Sequence, residues 1–168
     1  MDEAYGIAVD KGGNAYVTGR TTSTEATFPK TAGPDLTFNG GVDAFAAKVN
    51  PAGSALGFAG YIGGTGEDEG FGVAVDGAGY AVVPGRTTSN EASFPKANAW
   101  DLTLGGNADG FLACVNTSGV NLVFAGYVGG SGLEEGFGTA YSAARQIYVP
   151  GRSLTGDGSF TTLNGPAL

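Results

Sequence analysis

Two kinds of ionisable residue recur along the chain at a fixed interval. Acidic clusters stand at Glu67-Asp68-Glu69 and Glu134-Glu135, each followed by glycine. Carboxylates gathered on a turn are the hard oxygen ligands that Ca²⁺ takes, so Glu67, Asp68, Glu69, Glu134 and Glu135 form the candidate metal set, with Ca²⁺ as the cofactor. Their spacing does not fit an EF-hand loop, and Leu133 stands where the second cluster would continue the first. A solvated acidic turn is therefore the preferred reading. Arginine follows glycine at Gly19-Arg20, Gly85-Arg86 and Gly151-Arg152. A row of guanidinium groups suits an anionic ligand, but pairing with the neighbouring acids is the preferred account.

The remaining candidates argue against catalysis. Asp10 and Asp76 recur, as do Asp43 and Asp109, whereas a general acid and base should break a repeat at one special place. At these positions aspartate accepts hydrogen bonds from turn N–H groups. The sequence has no histidine, so Cys114, the single cysteine, lacks the usual base of a thiol nucleophile and reads as a small residue within a sheet. Gly63-Gly64-Thr65-Gly66 has neither the Lys-Ser/Thr nor the following helix of a phosphate loop. The chain is expected to be no enzyme and to need no cofactor. Aromatic residues offer a ligand surface instead: Phe28 and Phe94 each precede a proline, and Trp100 is the only tryptophan. An anchoring role is preferred for the two phenylalanines.

Composition narrows the partners. Eight basic against sixteen acidic side chains give a net charge of −8. That field repels phosphate backbones and anionic membrane surfaces, which excludes nucleic acid as the expected partner. No apolar run approaches the roughly 20 residues of a membrane-spanning helix, so no membrane insertion is expected. No intrachain disulfide is possible with one cysteine. Thirty-two glycines in 168 residues, beside 42% hydrophobic residues, indicate many short strands and tight turns. Disordered chains lack that apolar content.

The elements that position these residues come from a repeat. Residues 3–68 align with 69–134 without a gap, and 36 of 66 positions are identical. Residues 135–168 match 69–102 at 14 of 34. Each full unit carries four strand signals: Tyr5–Asp10, Asn14–Arg20 after the Gly12-Gly13 turn, Asp43–Asn50, and Leu56–Ile62 after Asn50-Pro51-Ala52-Gly53. No stretch holds a helical period. Four sequential antiparallel strands with short connections make a meander, which is one blade of a β-propeller. The expected fold is all-β, with about two and a half blades of an incomplete propeller: 3–68, 69–134, and a partial 135–168. One connection per unit is long, Thr21–Val42 and Thr87–Ala108, and its phenylalanine is expected to pin it to the blade.

The combined pattern Gly6-Ile-Ala-Val-Asp10, Gly13-Asn-Ala-Tyr-Val-Thr-Gly19, Phe28-Pro29, Asp43-Ala-Phe45, Pro51-Ala-Gly53 and Tyr61-Ile-Gly-Gly64-Thr-Gly66 resembles the bacterial β-propeller repeat called SBBP. The resemblance covers 3–134 and, weakly, 135–160. It implies a large secreted or surface-attached protein, hence an extracellular or cell-surface location, and supplies no catalytic residues. In the third copy Ser142 replaces the aspartate and Ala143-Ala144-Arg145-Gln146 replaces the glycine turn. Two and a half blades cannot close a ring of about 4 to 8. The chain is therefore expected to be a piece of a longer propeller, or a subunit that assembles head-to-tail into a ring or filament, with residues 153–168 adding to a neighbour's first strand. The functional expectation is a non-enzymatic structural or adhesive scaffold. Its partners would be further blades or copies of itself. The alternative is a carbohydrate-binding or Ca²⁺-assisted module using the 21–42 and 87–108 loops.

Overall fold

A computed structural model of the chain describes residues 1–142, 146–154 and 156. No α-helix occurs among them. The first blade is one four-stranded antiparallel sheet in chain order: β1 (Asp2–Val9), β2 (Ala15–Thr21), β3 (Asp43–Val49) and β4 (Leu56–Ile62). Local chemistry fixes its turns. Asp10 Oδ1 accepts hydrogen bonds from the N–H groups of Gly12 and Asn14 at 2.8 and 3.0 Å, and Gly13 supplies a φ of 81° that an L side chain would resist. Strand β1 starts three residues earlier than its sequence pattern predicts, because Asp2 and Glu3 pair with Thr21 and Arg20 before an irregularity at Ala4/Gly6.

The second blade repeats this layout with a broken inner strand. Strands β5 (Asp68–Gly70) and β6 (Ala74–Val75) both pair with β7 (Ala81–Thr87), which continues to β8 (Asp109–Val115) and β9 (Leu122–Val128). The break has a covalent cause. Pro84 stands where blade 1 has Thr18, the register partner of Gly6, and proline has no N–H to give the ladder. The third unit carries Pro150 at the equivalent place and is split likewise: β10 (Glu134–Gly136) pairs with β13 (Gly151–Ser153), and β11 (Ala140–Tyr141) with β12 (Ile147–Tyr148). Inner strands thus begin at Asp2, Asp68 and Glu134. The third-copy turn at 143–145 lies outside the described residues, and so does nearly all of the 153–168 tail.

The long connections are ordered edge covers. Residues 31–35 run along β4, where the Ala59 N–H donates to the Ala32 carbonyl at 2.9 Å and the Tyr61 N–H to that of Asp35 at 2.8 Å. Ala97 and Asp101 do the same along β9. An outer strand left bare would template aggregation; here each blade covers its own.

Side chains alternate between two faces along each strand. Tyr16, Ala44, Ala46, Phe58 and Ile62 from one face of blade 1 pack with Val73, Ala81, Val83, Phe94, Phe111, Ala113, Val115, Ala125 and Tyr127 from the facing side of blade 2. The opposite face of blade 1 has its own small cluster, Phe28, Phe45, Ala59 and Tyr61. Beyond that cluster it is open: Ile7 and Val9 are 69% and 62% exposed, while their counterparts Val73 and Val75 are covered by blade 1.

Candidate functional site

The junction between blades is where the repeated polar residues meet. Near the inner strands three ladders cross it. Arg20 donates from Nε to Glu3 at 2.6 Å within its own blade and from Nη1 to Glu69 of the next at 2.5 Å. Glu135, the next equivalent, lies 3.9 Å from Arg86 and 3.0 Å from Arg152. The glutamate hydrogen bonds raise the Arg20 pKa further. Beside this runs an aromatic series, with ring centroids of Tyr5 and Phe71 5.9 Å apart and those of Phe71 and Phe137 6.1 Å apart. Gly6, Gly72 and Gly138 form the third ladder: a Cβ on Gly6 would come within 2.8 Å of the Gly72 Cα, and one on Gly72 within 2.8 Å of the Gly138 Cα. Only glycine lets the inner strands converge so closely.

A fourth feature is buried and acidic. The isolated parallel bridge of Val42 with Glu67 brings the start of β3 beside the start of the next blade's inner strand. Asp43 and Asp68 are thereby both fully buried. A Cβ placed on Gly63 would lie 2.8 Å from Asp43 Oδ1 and 2.9 Å from Asp68 Oδ2, so the two carboxyl groups flank one point. Asp43 Oδ2 accepts the Asn39 N–H at 3.0 Å, and Asp68 Oδ2 accepts the Gly64 N–H and the Ser89 hydroxyl at 2.8 and 2.7 Å. Asp43 Oδ1 has no hydrogen-bond partner. Burial drives the Asp43 pKa up to about 7, with Asp68 adding to the rise, and burial raises that of Asp68 too. At the second junction Asp109 is fully buried, with its Oδ1 likewise unpartnered. Burial and then the Glu134 charge lift its pKa to about 6, against the hydrogen bond from Gly105.

The residues singled out from the sequence fall into distinct places. Arg20, Arg86 and Arg152 each lie within 4.0 Å of glutamate carboxylates. Phe28 lies 4.7 Å from Tyr61 and Phe94 5.2 Å from Tyr127, centroid to centroid, and both are buried, packing their loops against the blade. Trp100 is half-buried against Phe124, with centroids 5.9 Å apart. The acidic clusters do not converge. Glu67 faces solvent, Asp68 and Glu134 are buried, and Glu69 and Glu135 reach arginines, because successive strand residues point to opposite faces. Among the described residues no group of three or more Asp, Glu or Cys side chains is placed to hold a metal ion. Cys114 is buried in β8.

Sequence reasoning treated Asp43 and Asp109 as turn caps. Half of that account is right, since one oxygen of each carboxyl caps a loop N–H. The carboxyl–carboxyl approach was missed because its halves, Asp43 and Asp68, stand 25 residues apart within one repeat unit and are brought together only when the fold assigns Asp68 to the next blade. The recurrence of an acid ahead of β3 and another at the start of the next inner strand was the available signal.

No curated protein matches the sequence. Residues 2–25, which hold β1, the Asp10–Gly13 turn and β2, match the family model SBBP, a beta-propeller repeat. These residues thus carry the SBBP beta-propeller repeat pattern, and the four-stranded antiparallel blade that they open is the architecture which that repeat describes.

Proposed function

We propose that the chain is a non-catalytic propeller scaffold that works by docking further blades of its own repeat type, supplied by second copies of the chain, onto the open face of blade 1. One observation carries the reading. The face of blade 2 that bears Val73 and Val83 is sealed by blade 1, while the same face of blade 1 leaves Ile7 and Val9 exposed at 69% and 62%. Contiguous apolar surface of this kind marks an interaction site. Charge supports the same partner: Glu69 accepts an arginine from the preceding blade through Oε1, and its counterpart Glu3, which holds Arg20 and Tyr5 through Oε2, has its Oε1 to offer an arginine of a docking blade.

The test is association of the purified chain, followed by light scattering across concentration and by electron microscopy. Species larger than one chain are expected, and Ile7→Lys with Val9→Lys should return them to monomer without loss of fold. A folded chain that stays monomeric up to the highest soluble concentration would overturn the reading.

A further inference from the structure

The scaffold reading leaves the paired carboxyl groups at each junction without a role. We propose that a shared proton latches the blades together, held between Asp43 and Asp68 at the first junction and between Asp109 and Glu134 at the second. Two carboxylates that flank one point in a dry junction cannot both stay ionised cheaply, since each adds to the other's cost. A carboxylic acid beside a carboxylate removes one charge and supplies the donor that an orphaned oxygen lacks. Asp43 Oδ1 and Asp109 Oδ1 are such orphans.

The surroundings do not provide that donor by other means. The charges bearing on Asp43 are negative: Asp68 across the junction, and Asp35 and Glu25 from its own loop. Asp109 faces Glu134 across its junction and Asp101 from its loop, with backbone hydrogen bonds from Gly105 and Gly106. On Asp68 the lowering influences are the Thr87 hydroxyl, the Gly64 N–H, the Ser89 hydroxyl and, last, Arg86. The same parallel bridge recurs at the second junction, Ala108 with Leu133, and places the buried Asp109 at the start of β8 beside the buried Glu134 at the start of β10, so the juxtaposition of two buried acids survives the change from Asp68 to Glu134.

The sign follows from linkage. Asp43 and Asp109 hold protons more tightly in the folded chain than the ordinary carboxylate does, so stability is greatest with the proton bound and falls as pH rises through about 6 to 7. The chain has no histidine, so few other groups titrate between pH 5 and 8. By equivalence with Asp68, Asp2 is half of a further pair that a docking blade would complete; this extension rests on the scaffold reading, while the two latches inside the chain do not.

Thermal unfolding at constant ionic strength from pH 8.5 to 5 tests the latch. The midpoint should rise by several degrees on acidification. Asp43→Asn and Asp109→Asn should each flatten the profile and raise the midpoint at pH 8. If either variant fails to fold, proton uptake on refolding the unaltered chain in unbuffered solution at pH 7 decides the matter: net uptake supports the latch, and none overturns it. A flat profile in the unaltered chain, or slopes unchanged in both variants, also overturns it. So does millimolar Ca²⁺ raising the pH 8 midpoint of the unaltered chain only, which would make the shared species a metal ion. Pairing with the association experiment separates the two readings: acid-stabilised monomers keep the latch and sink the scaffold, whereas assembly with a flat profile does the reverse.

Discussion

Asp2 in blade 1 and Asp68 in blade 2 occupy the same place in the repeat, yet their carboxyl groups behave oppositely. Asp2 is exposed, and the Thr21 hydroxyl first, then Ser23 and the terminal amine, hold its pKa below the usual range. Asp68 accepts the homologous Ser89 hydroxyl and has Thr87 as its register partner, but it is fully buried with Oδ1 unpartnered, and burial raises its pKa. The difference is the neighbouring blade, which supplies the Gly63-Gly64 turn and Asp43 to Asp68; among the described residues no such turn packs on Asp2. Identical local chemistry thus acquires its electrostatics from the unit next door. A repeat of this kind is a sum of units and interfaces, and the interface term is what separates blade 1 from blade 2.

The largest expected effect sets the two loop anchors against each other. Phe94→Ala removes a ring from the core shared by both blades and should cost about 3–5 kcal/mol, whereas Phe28→Ala, in the smaller cluster on the open face, should cost about 2–3 kcal/mol. Urea unfolding of both variants measures the gap. Equal losses would mean that the open face is packed as tightly as the junction, and the comparison would break. A second pair sharpens it further. Val73→Ser should cost about 2 kcal/mol, because Val73 is 9% exposed against blade 1. Ile7→Ser at the equivalent position should stay within about 0.5 kcal/mol.

How much of this was legible in the sequence depends on the range of the interaction. Strand β4 was read at its true bounds, and β2 and β3 to within a residue, since alternation and the Asp10–Gly13 and Asn50–Gly53 turns are local signals. The start of β1 at Asp2 was missed because no apolar alternation extends there; it is held by cross-strand contacts to Thr21 and Arg20. The interruption of β6 from β5 was legible in principle from Pro84. What the sequence could not show is depth. Nothing local separates Asp68, buried, from Glu67, exposed, or tells that Ile7 faces water while Val73 does not. Those differences are made by chain tens of residues away.

Two buried tyrosines give a smaller and graded effect. The Tyr61 hydroxyl donates to the Ser23 carbonyl at 3.0 Å and that of Tyr127 to the Ser89 carbonyl at 2.9 Å. Burial pushes the Tyr61 phenol up to about 12 and raises Tyr127 as well. A phenol that loses its proton less readily when folded contributes stability below about pH 10 that disappears as pH rises toward 12. Absorbance of phenolate should therefore appear in two phases, the second coinciding with unfolding. Tyr127→Phe, which strands a buried carbonyl, should cost about 1–2 kcal/mol, and Tyr61→Phe no more than that.

The smallest effect concerns the charge ladder. Arg20 reaches Glu3 in its own blade and Glu69 in the next, and both of its partners are accessible to solvent, so ionic screening limits what either contact contributes. Glu69→Gln breaks the contact between blades, and Glu3→Gln the contact within one. Both should lower the unfolding midpoint slightly, and raising salt should shrink both losses. Their unfolding cooperativity should differ. Only Glu69→Gln loosens the joint between units, so only there should the transitions of the two blades begin to separate, visible as a broader melt when followed by Trp100 fluorescence in blade 2 and by whole-chain circular dichroism. Should Glu3→Gln broaden the melt as much, the ladder would be a property of each blade, and its continuity across the junction would carry no coupling.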